Sequence, residues 1–193
     1  MKKALLVIDL QEEYFENQDS FKNQFKLDMS NFHQRTFNSV DEYMNSVNKI
    51  IEKEQSLGTE IIYIQEVLPN KLFFRKFFGH SIKGTKGVEL HHSLKKVNNT
   101  VFTKAFGDAF TNRKLKKYLK ENGIEEIYIV GCDSTKCASF TAKGAIKNGI
   151  KVSMFIDGIF TFCPQDVEKT EKELEGLGVQ YIKKYLKVNE YKY

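Results

Sequence analysis

The stretch KALLVID, residues 3–9, decides the fold class of this 193-residue chain. Its five consecutive apolar residues do not alternate with polar ones, which is typical of a strand that is buried on both faces. Strands of that kind occur in parallel sheets whose two faces are covered by helices. The carboxylate of Asp9 follows the run directly, at the end of the predicted strand.

Further apolar runs alternate with helical patterns along the rest of the chain. Ser39 and Glu42 have the spacing of a capping box, and they precede a helix that ends at Gly58. The other predicted elements are helices near 115–122, 136–148 and 165–176, and strands at 61–64, 100–103, 127–130, 152–156 and 179–182. This order predicts a three-layer α/β/α, Rossmann-like fold with a six-stranded, mostly parallel sheet, in a single domain over residues 1–193. Residues 16–38 and 66–95 are interpreted as irregular loops.

Composition and charge exclude several classes of protein. The chain has 30 Lys+Arg against 25 Asp+Glu, but arginine occurs only at positions 35, 75 and 113, so we do not expect a nucleic-acid partner. No apolar run approaches the ~20 residues of a membrane span, and the N-terminus lacks the features of a signal peptide. The odd number of cysteines, three, predicts reduced thiols and a cytoplasmic location.

Three chemically useful side chains follow predicted strands. Ligands of open parallel sheets bind at the carboxyl ends of the strands, where we expect Asp9, Lys104 and Cys137 to lie. The turn GCDSTKC, residues 131–137, puts Cys137 at a helix N-terminus, a position that lowers the pKa of a thiol. Asp9 could then act as the base and Lys104 could stabilise the thiolate. Each residue alone also fits a structural role, as a turn former, a solvated lysine or a small buried side chain.

The motifs around these residues resemble those of the isochorismatase-like cysteine hydrolase family. ALLVIDLQEEYF (4–15), KAFGDAF (104–110) and IYIVGCDSTKCASFTAKGAIKNG (127–149) are similar to its three active-site motifs, and GTKGVEL (84–90) is similar to one of its loops. The likeness covers essentially the whole chain in order.

This resemblance implies a mechanism and a site. Asp9, Lys104 and Cys137 would be the catalytic triad, a cis peptide bond would join Cys132 to Asp133, and the backbone N–H groups of Asp133 and Cys137 would form the oxyanion hole. Cys137 would attack a small amide-type substrate, Asp9 would protonate the leaving amine, and water would hydrolyse the thioester. We expect no cofactor for these steps.

Departures from the family pattern narrow the expectation. Nicotinamidases of the family bind a metal through an Asp-x-His pair and a second His. Here residues 28–40 contain His33 but no Asp-x-His pair, and residues 65–68 contain no His. We therefore expect no catalytic metal and no nicotinamidase activity. True isochorismatases commonly lack the nucleophilic Cys, so Cys137 argues against their substrate.

Asp133 stands where the family usually has a small residue, and two roles are open. It could bind a cationic substrate group, or it could raise the thiol pKa and impair the site. The second role leads to the alternative of a catalytically silent binding or thiol-redox protein in which Cys132 and Cys137 cycle. A flavodoxin-like nucleotide binder is disfavoured because no glycine-rich phosphate loop follows any strand.

The remaining candidates receive structural interpretations. His91 and His92 are interpreted as a surface pair that points apart, with no acidic or His partner; His80 is given no role, and Cys163 is assigned to packing. The aromatic segment 73–78 is expected to line a pocket and a subunit contact, which predicts a homo-oligomer, a dimer or tetramer. The loop phenylalanines expected to shape the same pocket are Phe15, Phe25, Phe32 and Phe37.

Overall fold

A computed structural model describes residues 1–15, 37 and 39–182, and a six-stranded parallel sheet forms its centre. The strands are β1 (Lys2–Ile8), β2 (Glu60–Glu66), β3 (Val101–Lys104), β4 (Ile124–Gly131), β5 (Lys151–Ile159) and β6 (Gln180–Ile182). Their order is β3-β2-β1-β4-β5-β6, and every pair of neighbours is parallel. The chain moves outward from β1 in one direction and from β4 in the other, so the strand order reverses between these two central strands.

Helices cover both faces of the sheet. They are α1 (Glu12–Phe15), α2 (Val40–Ser56), α3 (Leu72–Phe77), α4 (Arg113–Glu121), α5 (Cys137–Lys147) and α6 (Val167–Gly176). The predicted capping box starts α2: Ser39 has extended backbone, and its hydroxyl accepts a hydrogen bond of 3.1 Å from the Glu42 N–H. This bond satisfies one of the N–H groups that a helix start leaves without a partner.

The side chains of β1 divide between two cores, as the uninterrupted apolar run predicts. Ala4, Leu6 and Ile8 pack with α4, α5 and α6, whereas Leu5 and Val7 pack with α2. All five are fully buried. The three-layer α/β/α architecture and the parallel sheet predicted from the sequence are therefore confirmed.

The two segments predicted as loops have different outcomes. Residues 66–95 contain the short helix α3 and a 3₁₀ turn at Lys86–Val88, which the prediction missed. The start of α3 has no side-chain cap and none of its residues is buried, so the sequence carries neither of the usual helix signals. Residues 16–38 lie outside the described residues except for Phe37, which is buried against the ring of Tyr43.

Within the described residues, no helix has the length and apolar character needed to cross a membrane.

Gly131 lets β4 pass close to the end of β1. Its φ is +120°, and a Cβ atom there would lie 2.1 Å from the carbonyl oxygen of Ile8. The same oxygen accepts the N–H of Cys132 at 3.0 Å. The turn after β4 is thus attached directly to the end of β1, in a space that admits only glycine.

We expect Gly131→Ala to lower the free energy of unfolding by about 3 kcal/mol or more, because strained backbone is combined with a clash against backbone that cannot move aside. Gly149→Ala is the matched control: its φ is +75°, but no atom lies within 4 Å of the new Cβ. It should cost only about 1–2 kcal/mol, the price of the left-handed conformation alone. Urea unfolding of both variants measures the difference, and equal losses would contradict the close-approach argument.

Candidate active site

A cavity of about 220 Å³ is lined by Asp9 and Cys137 at the carboxyl ends of the central strands. Asp9 follows β1, and Cys137 is the first residue of α5, which follows β4. The cavity therefore lies where the strand order reverses, the usual ligand site of an open parallel sheet.

Lys104 joins the two residues. It ends β3, its side chain is fully buried, and its ammonium lies 2.7 Å from Asp9 Oδ2 and 3.3 Å from Cys137 Sγ. The three residues expected to meet at this edge of the sheet do so, although they are far apart in the sequence. Register explains part of this, since Lys104 pairs with Glu66 at the end of β2, beside β1.

Asp9 is a buried carboxylate that is only 1% exposed. Its Oδ2 is paired with the Lys104 ammonium, and the carboxylate also interacts with the Cys137 thiol. Burial raises the pKa of Asp9 to about 6, and the Lys104 ammonium opposes that rise. Its φ of +52° is a left-handed conformation that Asp tolerates better than most residues. The group can thus hold or release a proton close to neutral pH.

The thiol differs from the sequence-based expectation. Cys137 does begin a helix, but burial and the Asp9 carboxylate raise its pKa well above the usual value, against the influence of Lys104. Desolvation of a buried thiolate therefore outweighs the helix terminus that was expected to lower the pKa. Cys137 is therefore a neutral thiol beside the Asp9 carboxylate.

Lys104 stays charged in this environment. Burial alone would lower its pKa, but Asp9, Cys137 and Glu66 together raise it above its usual value. The ammonium therefore remains available to a developing thiolate.

The expected oxyanion-hole residues lie in the turn between β4 and α5. The peptide bond between Cys132 and Asp133 is cis. The backbone N–H groups of Asp133 and Cys137 donate no hydrogen bond to any described acceptor, whereas the neighbouring N–H groups of Cys132, Ser134 and Lys136 all do. Two N–H groups are thus left beside the nucleophile for a substrate oxygen.

The carboxylate of Asp133 has a structural function that neither sequence-based alternative described. Oδ1 accepts the N–H and the hydroxyl of Thr135, at 2.7 and 2.6 Å, and Oδ2 accepts the N–H of Phe162 at 2.6 Å. The Thr161 hydroxyl contacts both oxygens at 3.2 Å. Asp133 thus connects the turn of residues 132–136, called the nucleophile turn below, to the segment after β5. Its two oxygens are occupied by these donors.

Several cavity-lining residues were not identified from the sequence. They are Tyr14, Glu66, His80, Gly107, Lys136, Phe140 and Phe162. Cys132, the redox thiol of the sequence-based alternative, also lines the cavity. Glu66 carried a usable signal, because it ends a strand exactly as Lys104 does. His80 and Phe162 follow irregular segments, where spacing indicates nothing about which way a side chain points.

The interpretation of His91 and His92 is wrong in part: His92 is exposed, as expected, but the pair neither points apart nor lacks an acidic partner. His91 is buried, the two rings stack with centroids 4.5 Å apart, and the carboxylate of Glu12 lies 3.3 Å from His92 Nδ1. The chain turns here instead of forming a strand, so adjacent side chains need not point apart. His91 Nδ1 accepts the Ser93 N–H, which leaves the proton of a neutral ring on Nε2 and disfavours metal binding there.

The predicted aromatic segment does not line this cavity. Phe73 and Phe77 of α3 are 57% and 61% exposed, and Phe78 contacts the ring of His80 at the cavity's edge. Phe15 is buried behind Phe162 and does not face the cavity. Phe25 and Phe32 lie outside the described residues.

The chain is similar to known proteins in sequence and in fold. A family model described as the isochorismatase domain matches residues 3–183. The uncharacterized isochorismatase family protein YddQ of Bacillus subtilis is 26% identical over 170 residues, which are 88% of this chain and 83% of that protein. A nicotinamidase of Acinetobacter baylyi is 33% identical over 117 residues, 53% of this chain and 55% of its own. The crystal structure of the zinc-bound pyrazinamidase of Pyrococcus horikoshii is similar with a TM-score of 0.76 and 24% identity, over 95% of this chain and 99% of that one.

Because the Pyrococcus structure contains zinc, the question is whether the donor atoms of this cavity could also bind a metal ion. Glu66 Oε2 and His80 Nδ1 are 3.9 Å apart in the cavity, but the Lys104 ammonium lies 3.9 Å from Glu66 Oε1. Among the described residues, no third carboxylate, thiol or imidazole converges on this pair. The described side chains therefore do not fit a three-ligand metal site in the cavity. His33 lies outside them.

We expect Asp133→Ala to lower the free energy of unfolding by about 2–3 kcal/mol, because several donors, the Phe162 N–H among them, lose an acceptor in a largely buried place. Asp41→Ala, at an exposed position in the first turn of α2, is the control and should cost under about 1 kcal/mol. Urea unfolding measures both losses. If Asp133→Ala is no more destabilising than the control, these hydrogen bonds do not hold the turn.

Proposed function

The chain belongs to the isochorismatase family of hydrolases, and we propose that it cleaves the C–N bond of a small amide through a thioester on Cys137. One observation carries the proposal: the buried Lys104 ammonium contacts both the Cys137 thiol and the Asp9 carboxylate at the wall of one cavity. A nucleophile, a base and a fixed positive charge are thereby within reach of one substrate atom.

The first step is attack on the amide carbonyl carbon. The thiol proton of Cys137 passes to the Asp9 carboxylate as Sγ forms its bond to carbon, and the Lys104 ammonium stabilises the negative charge on sulfur. The carbonyl electron pair moves to oxygen, which receives the N–H groups of Asp133 and Cys137. The neutral resting thiol suits this step, because its proton has a nearby acceptor with a pKa of about 6.

The intermediate then collapses to the thioester. The C–N bond breaks as the oxygen re-forms the carbonyl, and Asp9 returns its proton to the leaving nitrogen, so that ammonia or an amine departs. Asp9 next takes a proton from water, whose oxygen attacks the thioester. The C–S bond breaks, the carboxylic acid leaves, and the proton returns to Sγ.

The alternative of a silent binding or thiol-redox protein depended on interference from Asp133. The hydrogen bonds of that carboxylate to Thr135, Thr161 and Phe162 give it another role, which favours hydrolysis. The Cys132 thiol, the redox partner in the alternative, is buried and donates to the backbone oxygen of Asp9. Nothing in these contacts favours a dithiol cycle.

Assembly and location also stay proposals. The exposed apolar side chains of α3, which are Leu72, Phe73 and Phe77, support a homo-oligomer, and light scattering of the purified protein would measure its mass. Three free cysteines are compatible with the cytoplasm.

Cys137→Ala should reduce amide hydrolysis by about a thousandfold or more, because the other cysteine at the cavity, Cys132, is buried and donates its proton to the backbone oxygen of Asp9. Ammonia release from a panel of small amides, with nicotinamide included, measures the loss. Cys163→Ala is the matched control, since Cys163 does not line the cavity, and it should keep the wild-type rate. Full activity in Cys137→Ala would overturn the mechanism.

The rate should also depend on pH through Asp9. The ionised carboxylate is the active form, so kcat/KM should be half its plateau value near pH 6 and fall about tenfold per pH unit below it. Asp9→Asn should abolish turnover at every pH. A profile that stays flat through pH 6 would show that Asp9 is not the base.

A further inference from the structure

One wall of the cavity carries a carboxylate that the mechanism does not use. The side chain of Glu66 is 12% exposed and lines the cavity. Its Oε2 accepts the Tyr14 hydroxyl at 2.8 Å and lies 3.3 Å from the Ser81 hydroxyl. Its Oε1 accepts no hydrogen bond from the described residues and has the Lys104 ammonium 3.9 Å away. Oε1 is therefore held in place yet left able to accept a hydrogen bond.

The charges around this oxygen are mostly negative. Asp9, Glu66 and Asp133 all line the cavity, and the Glu13 carboxylate lies behind Ser81, whose N–H it accepts at 2.5 Å. The positive charges are Lys104, which is buried, and Lys136, an exposed residue that also lines the cavity. Burial lowers the pKa of His80, so this ring adds no positive charge near neutral pH.

The buried ammonium of Lys104 has to neutralise both Asp9 and Glu66. At 2.7 Å from Asp9 against 3.9 Å from Glu66, it is committed mainly to the catalytic base. The charge of Glu66 is thus only partly neutralised, which is costly in a cavity of low dielectric, and a bound cation would remove that cost.

We propose that this cavity selects a cationic amide, one whose ammonium or amidinium group binds Glu66 Oε1 while its carbonyl lies at Cys137. The inference rests on the proposed function and adds the substrate class to it. Lys104 touches both the nucleophile and Glu66, so the cation lies only a few bonds from the carbonyl. The aromatic rings of Tyr14, Phe140 and Phe162 in the walls also suit a cation, since their faces attract positive charge.

Charge selection at Cys137 can be tested without knowing the substrate. Methanethiosulfonates transfer an alkylthio group to a cysteine, which forms a mixed disulfide and releases methanesulfinate, and the 2-aminoethyl, ethyl and 2-sulfonatoethyl reagents differ mainly in charge. Peptide mass spectrometry would follow the modification of Cys137 in a Cys163→Ser background, which removes a second partly exposed thiol. Each rate is divided by the rate of the same reagent with 2-mercaptoethanol, which corrects for the intrinsic reactivity of the reagent. Because all three reagents react with the same thiol, the pKa of Cys137 does not affect the ratios between them.

The cationic reagent should react about tenfold or more faster than the anionic one. Glu66→Gln, which keeps the shape of the side chain, should reduce that ratio about fivefold. Glu125→Gln removes the same charge at an exposed position on β4 and should leave the ratio unchanged. Equal rates for the two reagents in the wild-type protein, or an unchanged ratio in Glu66→Gln, would overturn the proposal.

Turnover supplies an independent measurement. Among 3-aminopropanamide, butanamide and succinamate, the cationic amide should have the highest kcat/KM and the anionic one the lowest. A preference for the anion would overturn the substrate class while leaving amide hydrolysis intact. Conversely, full hydrolysis by Cys137→Ala would overturn the proposed function. The rates of the thiol reagents would still show whether the cavity prefers positive charge.

Discussion

The burial of the Lys104 ammonium constrains everything else at this site. A fully desolvated cation persists only when anions contact it, and here Asp9 and Glu66 do so from two neighbouring strands while the Cys137 thiol contacts it from a helix. These contacts require β1, β2 and β3 to end at one level and β4 to pass β1 without a gap. The closeness of β4 and β1 in turn requires glycine at 131. The strand arrangement and the electrostatics of the site therefore depend on each other, because a small shift of any strand would leave a buried charge unpaired.

Burial also decides where the proton rests. A thiol at a helix N-terminus in water would tend to ionise, but in this cavity desolvation raises the pKa values of both the thiol and the carboxylate. The carboxylate remains the more acidic of the two, so the proton rests on sulfur. A neutral thiol is also oxidised less readily than an exposed thiolate.

The sequence predicted the fold and the three converging side chains because both follow from local pattern. Uninterrupted apolar runs indicate buried parallel strands, as in β1, and the carboxyl end of a parallel strand indicates the ligand edge, as with Asp9 and Lys104. Side chains placed by irregular chain were beyond such reasoning. His80, Phe162 and the pair His91 and His92 are oriented by turns and long-range hydrogen bonds, which leave no periodic trace. The pKa of Cys137 was predicted in the wrong direction because the depth of burial is a property of the assembled sheet, the helices and the loops together.

The hydrogen bonds of Asp133 have a consequence for ligand recognition. They fasten Thr161 and Phe162 to the nucleophile turn, so one wall of the cavity is held in place before any ligand binds. The conformational entropy of that segment is therefore lost when the protein folds, and ligand binding does not reduce it further. A preorganised wall of this kind favours rigid small molecules that match its shape. These hydrogen bonds also couple positions 133 and 161 thermodynamically. A substitution at one position therefore changes how much the side chain at the other contributes to the free energy of unfolding.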